Sequence, residues 1–311
     1  MQAHIPVLLD PALRALDLST DAIVMDVTYG RGSHSAAILS QLGPSGRLIV
    51  MDRDPEAIEH AHRLLGDDQR VTICHGSFEG LAESARQHGV FGRVSGLLAD
   101  LGVSSPQIDQ PGRGFSFRED GPLDMRMDPT RGESAQDWLA RAEENELATV
   151  IRDYGEERFA RRIARTIVRE RQQQAITGTA RLAAIVASTA GRSADKIHPA
   201  TRTFQAIRIH VNNELVALDR LLEQGVDVLA PGGRFVVISF HSLEDRRVKQ
   251  AWAGWSRPPA ASRRHPVAPL FKPRLRLVGK LTRPDEEEAT RNPRARSARM
   301  RVAEKLEEAA A

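Results

Sequence analysis

The chain has one cysteine, Cys74. A disulfide framework within the chain is excluded, as is a zinc site built from several thiolates. So little cysteine fits a reducing compartment. No run of 18 apolar residues occurs, so no segment reads as a membrane span. The opening stretch, MQAHIPVLLDPALRAL, lacks a basic region followed by an apolar one and does not read as a secretory signal. The expectation is a cytoplasmic protein with no membrane partner. A G-x-x-x-x-G-K-[ST] phosphate loop is missing too. The ten histidines are dispersed, and His60 and His62 point to different sides of one helix, so no metal site is expected.

What is present is ordinary for a globular protein: 311 residues, 41% apolar and 27% charged, with 23 Gly and 17 Pro. Collagen-like, mucin-like and wholly disordered chains are excluded. The length suits about two domains, or one interrupted by an insertion. The net charge is only +3, but it is unevenly spread. Residues 257–283 carry Arg257, Arg263, Arg264, Lys272, Arg274, Arg276, Lys280 and Arg283 with no acid. Residues 291–305 carry Arg291, Arg294, Arg296, Arg299, Arg301 and Lys305 against Glu304 alone. Such a stripe can meet a phosphate backbone, or it can be a solvated surface.

Short apolar runs at 21–28, 47–51, 70–74 and 93–99 read as buried strands. Helical segments fall between them: 33–42 with Ser33 or Ser35 as its cap, one opening at Pro55, and 78–87. This alternation predicts a parallel sheet covered on both faces. Residues 101–134 break the pattern. Phe115, Phe117, Leu123, Met125 and Met127 make that stretch an ordered lid or binding loop. Helices follow through about 224. One over 156–171 has Arg158, Arg161, Arg162, Arg165 and Arg169 mostly on its polar side, and one over 202–223 reads as continuous. A strand returns at 233–240, then a helix capped by Ser242 with Asp245 at its third position, and a last strand over 296–302. The fold class is α/β, Rossmann-like, with a mostly parallel sheet and an inserted all-helical domain. Its parts are 1–108 (core), 109–205 (loop and helical insertion) and 206–311 (core completed, with a basic arm).

The strongest local signal is strand, glycine turn, helix: Asp26-Val27-Thr28-Tyr29-Gly30-Arg31-Gly32-Ser33-His34-Ser35. Gly30 and Gly32 match the first two glycines of a dinucleotide fingerprint, but Ser35 stands where the third belongs. Asp52, twenty residues after Gly32, can accept both hydroxyls of a ribose. Asp26 and Asp52 suit a cationic ligand better than a phosphate. S-adenosylmethionine (SAM) is therefore preferred, with a dinucleotide or a purely structural glycine turn as alternatives. Phe78 can pack against adenine or sit in the core at a helix start. Asp100 ends the fourth strand and His241 follows the fifth. Cys74, inside a strand, is badly placed as the nucleophile that methylation of a pyrimidine carbon needs. An exocyclic amine needs only alignment and a hydrogen-bond acceptor, for which Asp100 is the positioning candidate and His241 the proton acceptor.

Longer segments then carry a resemblance: HIPVLLDPAL, DVTYGRGSHS (26–35), MDRDPEAI (51–58), the whole block 97–132, YGEERFARRIAR (154–165), HPATRTFQAIRIHVNNEL (198–215), LAPGGRFVVISFHSLEDRRVK (229–249) and NPRARSARMR (292–301). Nearly end to end, the chain resembles the bacterial SAM-dependent 16S rRNA (cytosine-N4)-methyltransferases, and the block 97–132 is the most specific part. The resemblance implies a class I methyltransferase core and a helical domain engaged in RNA recognition. It implies SAM contacts at Gly32, Ser33, His34, Asp52, Phe78, Asp100 and Gln107. It implies methyl transfer to N4 of a cytidine in the decoding region of 16S rRNA, expected at position 1402 in the 30S subunit, with a homodimer as one admissible assembly. The family pattern has a second glycine where this chain has Ser33. Arg113, Arg118 and Arg126 then either pair with phosphates or hold the loop, and Arg202 and Arg208 extend the footprint begun by the arginines of 156–171. The rival readings are another acceptor, such as DNA, and a non-catalytic SAM-binding ribosome-assembly protein.

Overall fold

The computed structural model describes residues 6–190, 198–258 and 271–307. Arg263 and Arg264 of the basic stripe, and the first residues of HIPVLLDPAL, lie outside them. The helices, in chain order, are α1 (Leu9–Leu16), α2 (Ser33–Gln41), α3 (Pro55–Leu65), α4 (Leu81–Gln87), α5 (Ser105–Asp109), α6 (Ala135–Arg141), α7 (Glu144–Gly155), α8 (Ala160–Gln173), α9 (Thr179–Ala190), α10 (Thr201–Val211), α11 (Glu214–Val228), α12 (Ser242–Ser256) and α13 (Glu286–Arg291). The strands are β1 (Ile23–Asp26), β2 (Arg47–Asp52), β3 (Val71–His75), β4 (Val94–Asp100), β5 (Leu229–Ser239), β6 (Leu275–Leu277) and β7 (Arg299–Lys305). Among the described residues, no helix is long and apolar enough to cross a membrane.

Two compact units result: Met1–Gly102 together with Val216–Ala311, and Val103–Leu215. The expected boundaries, 108/109 and 205/206, therefore move to 102/103 and 215/216. The second shift has a clear cause. Helix α10 buries Phe204, Ala206 and Ile207 in the helical core, and the chain breaks only after it, at Asn213, whose φ is 50°. The helix expected over 202–223 is thus two helices.

The sheet unit is one seven-stranded sheet in the order β3-β2-β1-β4-β5-β7-β6. Strands β1 to β5 pair in parallel, and β7 runs antiparallel to both β5 and β6. This is the class I methyltransferase core that the resemblance implies. Both faces are buried, and side-chain alternation sorts the residues. Met25, Ile49, Met51, Leu97, Ala99, Phe235 and Val237 enter one core cluster, while Val24, Leu48, Val50, Leu98, Val236 and Ile238 enter the other. The last strand spans 299–305 rather than 296–302, because residues 293–297 form a 3-10 turn. Helices α1 and α13 and strand β6 were not expected.

The helical unit has its own core, with Trp138, Leu147, Ile151, Ile163, Ile167, Leu182 and Phe204 among its members. The helix expected over 156–171 begins at Ala160, after a left-handed Glu156 (φ 49°) ends α7. The stretch 101–134 is ordered. Asn212 Nδ2 donates to the Met125 carbonyl at 2.7 Å and Asn212 Oδ1 accepts from the Met127 amide at 2.7 Å. Arg113 donates to the carbonyls of Arg126 and Met127, and Arg126 pairs with Asp124 at 2.7 Å. Of the two roles weighed for Arg113 and Arg126, these bonds are the loop-holding one.

Candidate active site

Strand β1 lies between β2 and β4, so the strand order reverses direction at β1. Ligands of open parallel sheets bind beyond the carboxyl ends of the strands at such a point. Each of these three strands ends in a carboxylate: Asp26, Asp52 and Asp100. The register pairs Asp26 with Val50 on one side and Leu98 on the other. Asp52 and Asp100 therefore each extend two residues past Asp26 and flank the glycine turn.

The turn is built for close approach. Gly30 and Gly32 have φ of 53° and 73°, a left-handed conformation that glycine adopts without penalty. A Cβ on Gly32 would fall 2.5 Å from the Tyr29 hydroxyl. The Gly30 amide donates to Asp52 Oδ2 at 2.8 Å, and the Asp54 amide to Asp52 Oδ1 at 2.9 Å. Each Asp52 oxygen keeps a further lone pair for a hydroxyl. The cap of α2 is Gly32 itself, not Ser33 or Ser35. Ser33 opens the helix outside the left-handed region, so its Cβ brings no strain where the family pattern has glycine. Ser35 Oγ instead donates to Asp26 Oδ2 at 2.6 Å, and the Thr28 amide donates to Asp26 Oδ1 at 3.1 Å. Phe78 opens a 3-10 turn ahead of α4 and is partly buried against the core. The Gly76 amide, two residues earlier, donates to the Asp52 carbonyl at 2.8 Å.

Burial dominates the electrostatics. It pushes Asp26 and Asp52 up to about 6, against their hydrogen bonds, which pull the other way. It holds Asp100 well above the ordinary carboxylate range, helped by the negative charges of Asp26 and Glu244. His34 Nε2 faces the Val7 carbonyl at 3.1 Å and so carries the ring proton. Burial pushes His34 down to about 4. The imidazole is therefore neutral at pH 7, and its Nδ1, 3.8 Å from Asp100 Oδ2, forms no ion pair. Asp100 Oδ1 is buried with no hydrogen-bond partner among the described residues.

His241 sits at the next strand end and caps α12, which moves the expected Ser242–Asp245 cap back by one residue. Its Nδ1 accepts from the Glu244 amide at 3.4 Å, while Glu244 Oε2 accepts from the amides of Phe240 and His241. Nδ1 is thus engaged, and the proton belongs on Nε2. That atom is buried and lies 3.2 Å from Glu244 Oε1 without making a hydrogen bond. A ring in this state has no free lone pair and offers a donor instead. Sequence reasoning missed Glu244, although the spacing His241-x-x-Glu244 is that of a capping box.

Gln107 belongs to the helical unit. There it is buried and closes the capping box of α5, Oε1 accepting from the Ser104 amide at 2.9 Å. Cys74 is half-buried, 3.3 Å from His88 Nε2, and burial pushes its thiol up. Its placement in β3 agrees with a small packing residue.

Two of these carboxylates, Asp26 and Asp52, make a pH prediction. An acid whose folded pKa is raised contributes stability fully below its unfolded value and loses it as pH rises through the folded value. At pH 7 the ionised Asp26 and Asp52 therefore cost the ligand-free fold stability. A cationic ligand favours the ionised form. SAM affinity measured calorimetrically should fall by about tenfold per linked carboxylate between pH 7 and pH 5, with proton release on binding near pH 6. A flat profile would show that neither carboxylate meets the ligand's charge.

The MraW methylase family model matches residues 1–306. Among curated relatives, a protein named ribosomal RNA small subunit methyltransferase H from Xanthomonas euvesicatoria pv. vesicatoria (strain 85-10) is 53% identical over 304 residues, covering 98% of this chain and 89% of the relative. A protein of the same name from Xylella fastidiosa (strain M12) is 53% identical over 309 residues, covering 98% and 97%. With the sheet order, the glycine turn and the strand-end carboxylates described above, the chain belongs to the MraW methylase family.

Proposed function

We propose that the protein transfers a methyl group from SAM to the exocyclic N4 of a cytidine in small-subunit rRNA. The observation that carries this reading is the buried Asp100 Oδ1, without a hydrogen-bond partner among the described residues, beside a glycine turn and two further carboxylates. The residues fit SAM. Gly32 leaves the room a side chain would take, Asp52 retains lone pairs for the ribose, and the carboxylates suit a positive charge. Ser33 and His34 stand on the same turn, and Phe78 would offer its ring to the adenine. SAM supplies an electrophilic methyl group on a sulfonium.

The chain's own residues then do three things. Asp100 Oδ1 accepts an N–H of the cytosine amine, so turning the nitrogen lone pair toward the methyl group, and it takes the proton that N4 sheds once it carries the methyl. Alignment of this kind is a large part of what such a reaction needs. His241 Nε2–H donates to an acceptor on the base rather than taking a proton. Glu244 holds His241 and, with Asp26, keeps the Asp100 carboxyl a strong acceptor. A cytosine flipped out of its stack meets the demand for reach.

The test is methyl transfer from labelled SAM to free small-subunit rRNA, isolated 30S subunits and intact 70S ribosomes, followed by nucleoside identification. N4-methylcytidine formed from 30S subunits supports the reading. Bound SAM with no transfer to any of the three would move the assignment to another acceptor or to a binding protein.

A further inference from the structure

We propose that the exposed face at the start of α8 grips the phosphate backbone of the rRNA substrate, with Arg158 and Arg162 clamped on Phe159 at its centre. The proposal rests on the rRNA reading above. Most basic groups that the sequence offered for such a role are occupied within the protein. Arg274 pairs with Asp227 and Arg276 with Glu304, and Arg299 and Arg301 both pair with Asp245. Arg208 pairs with Glu214 at 2.7 Å.

Arg158, Arg161 and Arg162 differ. All three are exposed, and none has an acidic partner among the described residues. The guanidiniums of Arg158 and Arg162 each lie 4.6 Å from the centre of the Phe159 ring. Stacking on one ring holds two positive charges in place before any ligand arrives. The helix beneath is fixed, because Ala160, Ile163, Ala164 and Ile167 are buried in the helical core.

The local electrostatics are unfavourable without an anion. The one carboxylate at the start of α8, Glu157, is buried and spent on the Phe159 amide at 2.8 Å, so it leaves the exposed arginines uncompensated. Arg161 and Arg165, and Arg165 and Arg169, are like charges at the i,i+4 spacing, which destabilises a helix. The salt bridges of this face, Arg165 to Glu144 at 3.5 Å and Arg169 to Glu170 at 2.9 Å, leave the three leading arginines untouched. A phosphate chain relieves this like-charge conflict and matches the fork geometry of guanidinium.

The experiment compares the wild-type protein with the triple variant Arg158→Gln/Arg161→Gln/Arg162→Gln, using isolated 30S subunits with SAM present over a range of salt. The expected result is at least a tenfold loss of affinity near 0.1 M salt. The slope of log affinity against log salt becomes shallower by about 2–3. KM for subunits rises while kcat at saturation and SAM affinity stay within error of wild type, and the melting temperature is unchanged or slightly raised. Arg162→Lys keeps the charge and loses the planar stack, so it should retain the wild-type slope with a few-fold weaker binding. An unchanged slope and KM in the triple variant, with wild type active, would overturn the proposal alone. Wild-type protein that neither binds nor methylates subunits would overturn the rRNA reading, and this surface with it.

Discussion

Asp100→Asn lowers kcat/KM for methyl transfer by on the order of 10²–10³ and at the same time raises the melting temperature of the ligand-free protein. The two effects have one origin. Asp100 Oδ1 is buried without a partner among the described residues, and the carboxyl shares its surroundings with the negative Asp26 and Glu244. Leaving such a group unsatisfied costs about 1–3 kcal/mol. An uncharged amide of the same shape removes the repulsion. For a unit of this size, each kcal/mol moves the melting temperature by about 2–4 °C. The pH dependence has a definite sign. Below the raised pKa the wild-type carboxyl is neutral, so the advantage of asparagine vanishes in acid and grows as pH rises through that value. Thermal melts of both proteins over the whole pH range in which they fold measure this, alongside initial rates on 30S subunits. A variant whose stability relative to wild type falls as pH rises, or one that is fully active, would remove Asp100 from the role assigned to it.

Gly32→Ala has the opposite character: it loses both stability and SAM binding. A residue with a side chain at φ +73° pays about 1–2 kcal/mol for the left-handed backbone. The new methyl group also lies 2.5 Å from Tyr29 Oη and 2.6 Å from its ring carbons. Tyr29 cannot easily yield. It is 3% exposed, and its hydroxyl is bonded to His60 Nδ1 at 3.0 Å. The summed cost is about 2–4 kcal/mol. Shifting the turn also carries the Gly30 amide away from Asp52. SAM affinity should fall by more than tenfold, read by calorimetry, with a melting temperature lower by several degrees. Ser33→Gly is the informative control. Ser33 already stands in the helix, so adding the glycine of the family pattern should leave SAM affinity within a factor of about three. It should cost at most about 1 kcal/mol of stability from backbone entropy. A large loss of SAM affinity in Ser33→Gly with none in Gly32→Ala would reverse the roles given to the two positions.

Much of this architecture is legible from local chemistry. The strands of the parallel sheet are short, apolar and punctuated by glycine, proline and aspartate, and both faces are buried, so composition alone marks them. Asp26, Asp52 and Asp100 could be picked out because each ends such a run. The edge of the sheet was harder. Strand β6 has three residues, and β7 alternates Arg299 and Arg301 with Met300 and Val302, a pattern that gains meaning only when β5 lies beside it. The break at Asn212 and Asn213 was hidden by an unbroken helical periodicity on both sides. Its cause is the Asn212 side chain, which is spent on the backbone of residues 125–127 far away in sequence. His241 misled because a histidine cap falls outside the usual serine, threonine, aspartate and asparagine signal. What it holds, Glu244, is visible only once the backbone amides it accepts from are known.

The order in which the ribosome makes this chain has a consequence of its own. Residues 103–215 form a unit that is continuous in sequence, whereas the sheet is assembled from segments on either side of it. The helical unit can therefore fold while the rest is still being translated. The sheet has to wait. Until residues 299–305 emerge, one side of β5 has no neighbour to bond with. An open strand edge of that kind is a template for pairing between chains. Nascent chains halted between about residues 240 and 298 should therefore self-associate, while chains halted after 305 should not.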